Sequence, residues 1–233
     1  MNLFYSPNII EPITILTEEE SKHIIRVLRK AAGDIIYFTD GNGFKYNGKI
    51  IDANPKKCII EIFNKKEGDD KRNYTLHIGI APTKNIARFE WFLEKCTEIG
   101  IDSITPIICD HSERRDIKPE RLNKVITSAM KQSLKSFHPE LNYKKKFQEL
   151  ISENIEGDKF IAYIDNEVTL ELKEAYTPGS NVTILIGPEG DFSPEEVEIA
   201  KTYGYIPVRL GKSRLRTETA GIVACHTITL ANL

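Results

Sequence analysis

Long apolar stretches are missing from this 233-residue chain, and runs such as Val182 to Ile186 are far too short to cross a bilayer. No membrane partner is expected. The opening Met1-Asn2-Leu3-Phe4-Tyr5 also lacks the basic and apolar regions of a secretion signal, so the expected location is cytoplasmic. Cysteine is scarce. The four present, at 58, 96, 109 and 225, form no Cys-x-x-Cys pair, which removes zinc and dithiol redox motifs. Each lies in an apolar segment and is expected as a small buried thiol. Neither Gly-x-Gly-x-x-Gly nor Gly-x-x-x-x-Gly-Lys-[Ser/Thr] occurs, which argues against Rossmann-type NAD binding and P-loop chemistry. No internal repeat or low-complexity tract is present.

Net charge is also almost absent, at −2, which taken alone argues against a nucleic-acid partner. The distribution argues the other way. Residues 111–146 carry ten Lys/Arg against four Asp/Glu. Residues 147–200 carry two against thirteen, and residues 201–233 five against one. Phosphate binding needs only a local basic surface, although signed segments of this kind also arise as solvated helix faces.

The first part of the sequence reads as mainly β. Gly33 to Gly41 is a strand bounded by turn residues, and Phe44 to Ile51 and Lys57 to Phe63 are two more. Before them, Thr17 and Glu20 fit a capping box, with His23, Ile24, Val27 and Leu28 as an apolar helical stripe. Lys65 to Asn73 is charged and without apolar residues, and reads as a linker, dividing the chain into 1–72 and 73–233. The second part alternates strand and helix, the pattern of an α/β layer with parallel strands. The spacing predicts strands over 74–81, 104–109, 160–164, 182–186 and 205–210. Helices are predicted over 86–99, 119–134 and 217–230. A further helix opens at Ser193-Pro194-Glu195-Glu196, with Ser as N-cap, Pro at N1 and Glu at N3.

Two segments follow probable parallel strands and precede helices. They are Ile186-Gly187-Pro188-Glu189-Gly190-Asp191-Phe192-Ser193-Pro194 and Leu210-Gly211-Lys212-Ser213-Arg214-Leu215-Arg216-Thr217-Glu218-Thr219-Ala220. Ligands of open α/β sheets bind at that edge, and glycine lets backbone approach a ligand closely. The two are either ordinary strand-to-helix turns or two walls of one pocket, with the loop after the 160–164 strand as a third.

These two segments resemble the 16S rRNA uridine-N3 methyltransferase family (RsmE). Further stretches match in order: His23-Ile24-Ile25-Arg26-Val27-Leu28-Arg29 with Gly33-Asp34, Lys95 to Gly100 with Ile104 to Ile107, and Gln132-Ser133 with Pro139-Glu140. The chain departs from the family at Asp191, where a second glycine is frequent, and at Lys135, near where an Arg is common. Lys binds phosphate as a point charge rather than as a bidentate fork.

The resemblance implies a C-terminal SPOUT α/β domain with a parallel sheet and a trefoil knot, plus an N-terminal PUA-like β-barrel domain. It implies S-adenosyl-L-methionine as cofactor and a homodimer through the knot region. The substrate would be 16S rRNA, free or in the 30S subunit, methylated at N3 of one uridine, the family's U1498. A SPOUT enzyme acting on tRNA, or a non-catalytic RNA-binding protein, are the alternatives. Carried onto this sequence, the cofactor-binding candidates are Ile186, Gly187, Pro188, Glu189, Gly190, Leu210, Gly211, Leu215, Arg216, Glu218, Thr219 and Ala220. Glu189 and Glu218 are candidates to face the sulfonium, while an acid at position 218 also suits a helix start. Arg216 is the candidate catalytic residue, stabilising charge on the uracil oxygens as N3 loses its proton; a structural ion pair or a phosphate contact is its other reading. Arg26, Arg29, Lys84, Arg114, Arg115 and Arg121 are candidate RNA contacts. No metal is implied and no general base stands out.

Overall fold

The computed structural model describes residues 2–165 and 167–233. They form two compact units, Met1–Lys71 with Thr127–His138, and Arg72–Ile126 with Pro139–Leu233. Residues 127–138 cluster with the first unit, which a boundary read only from a charged linker does not foresee.

The first unit holds β1 (Leu3–Tyr5), β2 (Ile13–Ile15), β3 (Ile35–Thr39), β4 (Phe44–Asp52) and β5 (Ile59–Glu67). They form one sheet in the order β1-β3-β4-β5-β2, with β1 parallel to β3 and the other pairs antiparallel. Phe4, Ile24, Ile36, Phe38, Tyr46, Ile50 and Ile60 form its core. The segment 65–67, expected as linker, is instead the end of β5, paired with Phe44, Lys45 and Tyr46. Its charge misleads because the Lys65 stem covers apolar surface. The Lys65 ammonium lies 4.6 Å from the Phe44 ring centroid and 3.0 Å from Glu11.

Helix α1 (Glu18–Lys22) starts as expected, with Thr17 Oγ1 accepting the Glu20 N–H at 3.3 Å. The other half of the box does not form, because the buried Glu20 carboxylate pairs with Lys131. The helix continues as a π-helical turn over His23–Val27. That wider turn breaks the 3.6-residue period, so Ile24 is buried while Val27, expected inward, is 67% exposed.

The second unit is a seven-stranded sheet of β6 (Leu76–Ile80), β7 (Ser103–Ile108), β8 (Glu140–Leu141), β9 (Lys145–Lys146), β10 (Asp158–Ala162), β11 (Val182–Ile186) and β12 (Ile206–Val208). The order is β12-β10-β11-β6-β7-β8, with β9 also against β7, and every pairing is parallel. The helices of this unit are α2 (Ile86–Ile99), the first part of α3 (Pro119–Gln132) up to Ile126, α4 (Phe147–Ile151), α5 (Leu172–Ala175), α6 (Pro194–Thr202) and α7 (Thr217–Ala231). In strand β11 all five residues are buried, Val182, Ile184 and Ile186 in one core cluster and Leu185 in another, while the hydroxyl of Thr183 lies 3.3 Å from the His77 ring. A parallel sheet covered on both faces requires this burial. The Gly221 position lets α7 approach α2: a Cβ there would stand 2.5 Å from the Phe92 ring. All four cysteines are buried. Among the described residues no helix is long and apolar enough to cross a membrane.

Candidate active site

Strands β10, β11 and β12 are neighbours in the sheet although far apart in the chain. Their C-terminal ends therefore bring three loops together. These loops enclose a cavity of about 560 Å³, lined by residues 162–165, 186–189, 191, 208–217 and 220. That volume lies in the range of sites for ligands of cofactor size. The two glycine-bearing segments singled out in the sequence are thus side by side, with space between them.

The first wall is fixed from two directions. Glu189 Oε1 accepts the Lys84 N–H at 2.9 Å, tying it to the loop that follows β6. Arg114 clamps that loop in turn, donating from Nε and Nη2 to the Thr83 and Lys84 carbonyls at 2.7–3.1 Å. The second Glu189 oxygen, Oε2, is buried without a partner. A lone carboxylate oxygen on a cavity wall fits a cationic or hydrogen-bonding ligand group, because leaving it unpaired is costly.

Helix α6 anchors the far end of this loop. The capping box forms as predicted: Ser193 Oγ accepts the Glu196 N–H and Glu196 accepts the Ser193 N–H. Both side chains also reach the loop after β7. Ser193 Oγ donates to Asp110 at 2.8 Å, and Glu196 accepts the Asp110 N–H at 3.0 Å. Burial pushes the Glu196 carboxyl above its ordinary range.

Asp191 has φ +65°, in the left-handed region that glycine adopts freely and Asp tolerates. Its side chain compensates by accepting the Phe192 N–H at 2.8 Å and the Ile164 N–H at 3.4 Å. The departure from glycine therefore ties the first wall to the third. Burial raises the Asp191 carboxyl above its usual value.

The second wall is basic, with Arg209, Lys212, Arg214 and Arg216 on the cavity. Arg209 donates from Nη2 to the Thr169 carbonyl, and its buried Nε has no partner. Gly211 has φ +120°, a conformation that side chains rarely adopt, and nothing lies within 4 Å of the position a Cβ would take. Arg216 is the N-cap of α7; its side chain makes no capping bond and no ion pair among the described residues.

Of the sequence candidates, Ile186, Gly187, Pro188, Glu189, Leu210, Gly211, Leu215, Arg216 and Ala220 line the cavity. Gly190, Glu218 and Thr219 do not. A Cβ at Gly190 would stand 3.1 Å from His111, so its compactness serves packing against that ring. Glu218 is buried, with Arg88 Nε 3.9 Å away and one oxygen unpartnered. Thr219 follows it in the first turn of α7. Among the basic candidates, Arg114 is engaged as described, Arg121 holds Glu90 at 2.5 and 2.9 Å, and Lys84 Nζ pairs with Glu113 at 2.7 Å. Arg26, Arg29 and Arg115 are exposed without ion pairs among the described residues. Tyr163 and Asp165 supply the third wall expected from the loop after the 160–164 strand, while Arg209 and Arg214 are cavity residues that the sequence did not mark. Their positions just past β12 were the available signal.

An RNA methyltransferase domain model matches residues 70–229, and an RNA methyltransferase PUA domain model matches residues 16–63. The chain is 30% identical over 215 residues to the Ribosomal RNA small subunit methyltransferase E of Buchnera aphidicola, covering 90% of this chain and 84% of that one. It matches the crystal structure of a probable rRNA-methyltransferase from Porphyromonas gingivalis with TM-score 0.91 and 44% identity, over 99% of each chain. A Legionella pneumophila methyltransferase structure in complex with the bound cofactor SAM matches with TM-score 0.89 and 26% identity, over 99% of this chain and 97% of that one.

Proposed function

Because this chain belongs to the RNA methyltransferase family of the Ribosomal RNA small subunit methyltransferase E proteins, we propose that it methylates N3 of one uridine in 16S rRNA. The observation that carries this reading is the cavity between the 186–191 and 208–217 loops, with the unpartnered Glu189 oxygen on one wall and the unpaired Arg216 on another. S-adenosyl-L-methionine fits the residues present, and when bound it supplies an electrophilic methyl group on a sulfonium.

Ile186, Gly187 and Pro188 on one side, and Leu210, Gly211, Leu215 and Ala220 on the other, form the apolar and backbone surfaces for the adenosine. Glu189 faces the positive charge. Arg216 lies where a uracil can approach. The N3 nitrogen is a poor nucleophile until its proton leaves, and the resulting negative charge spreads over O2 and O4. Arg216 is exposed in the open cavity; once cofactor and base cover it, its guanidinium would lower the cost of that charge, by up to about 3 kcal/mol when well aimed. N3 lies on the pairing edge of the base, so the target must be unpaired or flipped. The six basic candidates named above are carried into this reading as RNA contacts, those without internal ion pairs first.

The reading brings with it a trefoil knot at the C-terminal end and a homodimer through that region, which sedimentation would detect as twice 26.5 kDa. Work on the small ribosomal subunit would take place in the cytoplasm. Mass spectrometry of small-subunit RNA from cells lacking the gene tests the activity. One 3-methyluridine should disappear, return with the wild-type gene, and stay absent with Arg216→Ala. An unchanged RNA, or loss of a modification on tRNA instead, would sink it.

A further inference from the structure

A second cavity, of about 280 Å³, lies wholly in the first unit and is lined by Asn2, Phe4, Lys30, Ile35, Ile36 and Tyr37. It arises from strand register. Strand β1 begins at Leu3, opposite Tyr37, so β3 runs two residues, Ile35 and Ile36, past its neighbour's start. The floor is apolar, with Phe4 and Ile36 each 1% exposed. The rim is different: Tyr37 and Ile35 are exposed, and Lys30 stands half-buried beside them.

The chain segment that leads to Lys30 is basic. Residues 21–33 contain Lys22, Arg26, Arg29 and Lys30 and no acid. Lys22 pairs with Glu18, whereas Arg26, Arg29 and Lys30 have no ion-pair or hydrogen-bonding side-chain partner among the described residues. Of the acids that border the segment, Glu20 pairs with Lys131 and Asp34 accepts the Ala31 N–H at 2.8 Å.

Arg29 adds a second, independent observation. Its φ is +54°, at the end of the π-helical turn, where Lys30 N–H closes onto the Ile24 carbonyl at 3.1 Å. Helices that end this way place glycine in the left-handed position. A long β-carbon-bearing side chain is disfavoured there, and the fold gains nothing visible from this one, which is exposed and unpaired. Strain held at an exposed cation points to a use for the cation.

We propose that this notch receives one unpaired nucleotide of the RNA substrate, its base against Tyr37 and the apolar floor and its phosphates on Arg29 and Lys30. A single base fits the volume, an aromatic rim supplies a sequence-tolerant stacking surface, and flanking cations neutralise the backbone. The site lies outside the methyl-transfer cavity and serves to fix the register of the strand. The inference rests on the RNA methyltransferase reading above and deepens it.

The test uses the full chain and a short fluorescein-labelled single-stranded RNA, followed by anisotropy at several salt concentrations. Tyr37→Ala should weaken binding roughly tenfold, the usual loss for one stacked base. Arg29→Gly should weaken binding and lower the salt dependence by about one released counterion, while its melting temperature stays level or rises, because glycine relieves the backbone. A merely structural arginine would give the opposite pair of results. Unlabelled duplex RNA of the same sequence should compete poorly. Titration with S-adenosylhomocysteine should give wild-type affinity in both variants. If both variants bind RNA as wild type does while Arg216→Ala still abolishes methylation, the notch proposal is overturned and the enzyme reading stands. If wild type itself neither binds the RNA nor methylates small subunits, the enzyme reading falls and the notch falls with it.

Discussion

Replacing Glu189 with Gln removes one negative charge from the cavity and little else. The amide keeps the volume and keeps an oxygen to accept the Lys84 N–H, so the loop stays anchored. What changes is the second oxygen, which is buried on the wall and unpartnered. Two unit charges about 4 Å apart attract by about 4 kcal/mol at an effective dielectric of about 20. The cavity opens to solvent and Glu189 is itself only half-buried, so screening reduces this. An effect of about 1–2 kcal/mol remains, or roughly 5- to 30-fold in affinity. S-adenosylmethionine carries the sulfonium and S-adenosylhomocysteine does not. Calorimetric titration of both ligands into wild type and Glu189→Gln isolates the charge: the variant should lose affinity for the first by that factor and hold the second nearly unchanged. Equal losses for both ligands, or no loss for either, would refute the assignment of Glu189 to the sulfonium.

Gly211→Ala adds a side chain into open space but at φ +120°, so its cost is local backbone strain of about 1–3 kcal/mol; the melting temperature should fall by a few degrees, and cofactor affinity should fall roughly tenfold as the loop shifts to relieve the strain. Gly221→Ala does the reverse, driving a methyl into the Phe92 ring and Ile80 where α7 meets α2. Overpacking of about 1–3 kcal/mol outweighs the helix-propensity gain of roughly 1 kcal/mol, and the urea midpoint should drop. His77 lies between Thr183 and Thr105 inside the sheet, and burial pushes its imidazole down to about 4 from 6.5. The unfolded chain therefore takes up this proton first as pH falls, so stability should be level above pH 6.5 and decline by up to about 3 kcal/mol on the way to pH 4. His77→Gln should flatten that slope in pH-dependent urea unfolding; an unaltered slope would contradict the account.

The parts of the fold legible in the sequence are those where local pattern and tertiary role agree. Val182 to Ile186 and Ile86 to Ile99 occur with the bounds expected, and the Ser193–Glu196 box forms in full. Long-range pairing hid the rest. Leu3–Tyr5 and Ile13–Ile15 are too short to carry a periodic signal and exist as strands only through β3 and β5. The charged end of β5 looked like a linker because Lys65 is stabilised by partners distant in sequence, Phe44 and Glu11. At the candidate site, the two glycine-bearing loops could be found from their position after strands. The loop after β10 could be found the same way, as a third wall; that β10 lies between β11 and β12 is a property of strand order that no local window contains. Arg114 and Arg121 looked like free cations for the same reason: the carbonyls and the Glu90 carboxylate that hold them lie about thirty residues away.

A crystal structure of the protein with S-adenosylhomocysteine bound tests the central claim most directly. The product should lie in the 560 Å³ space, touching the backbone of 186–189 on one side and 210–216 on the other, with Glu189 beside its sulfur and Arg216 on the side left open to the base. Density for the ligand elsewhere on the chain, or the two loops closed on each other with side chains filling the gap, would contradict it.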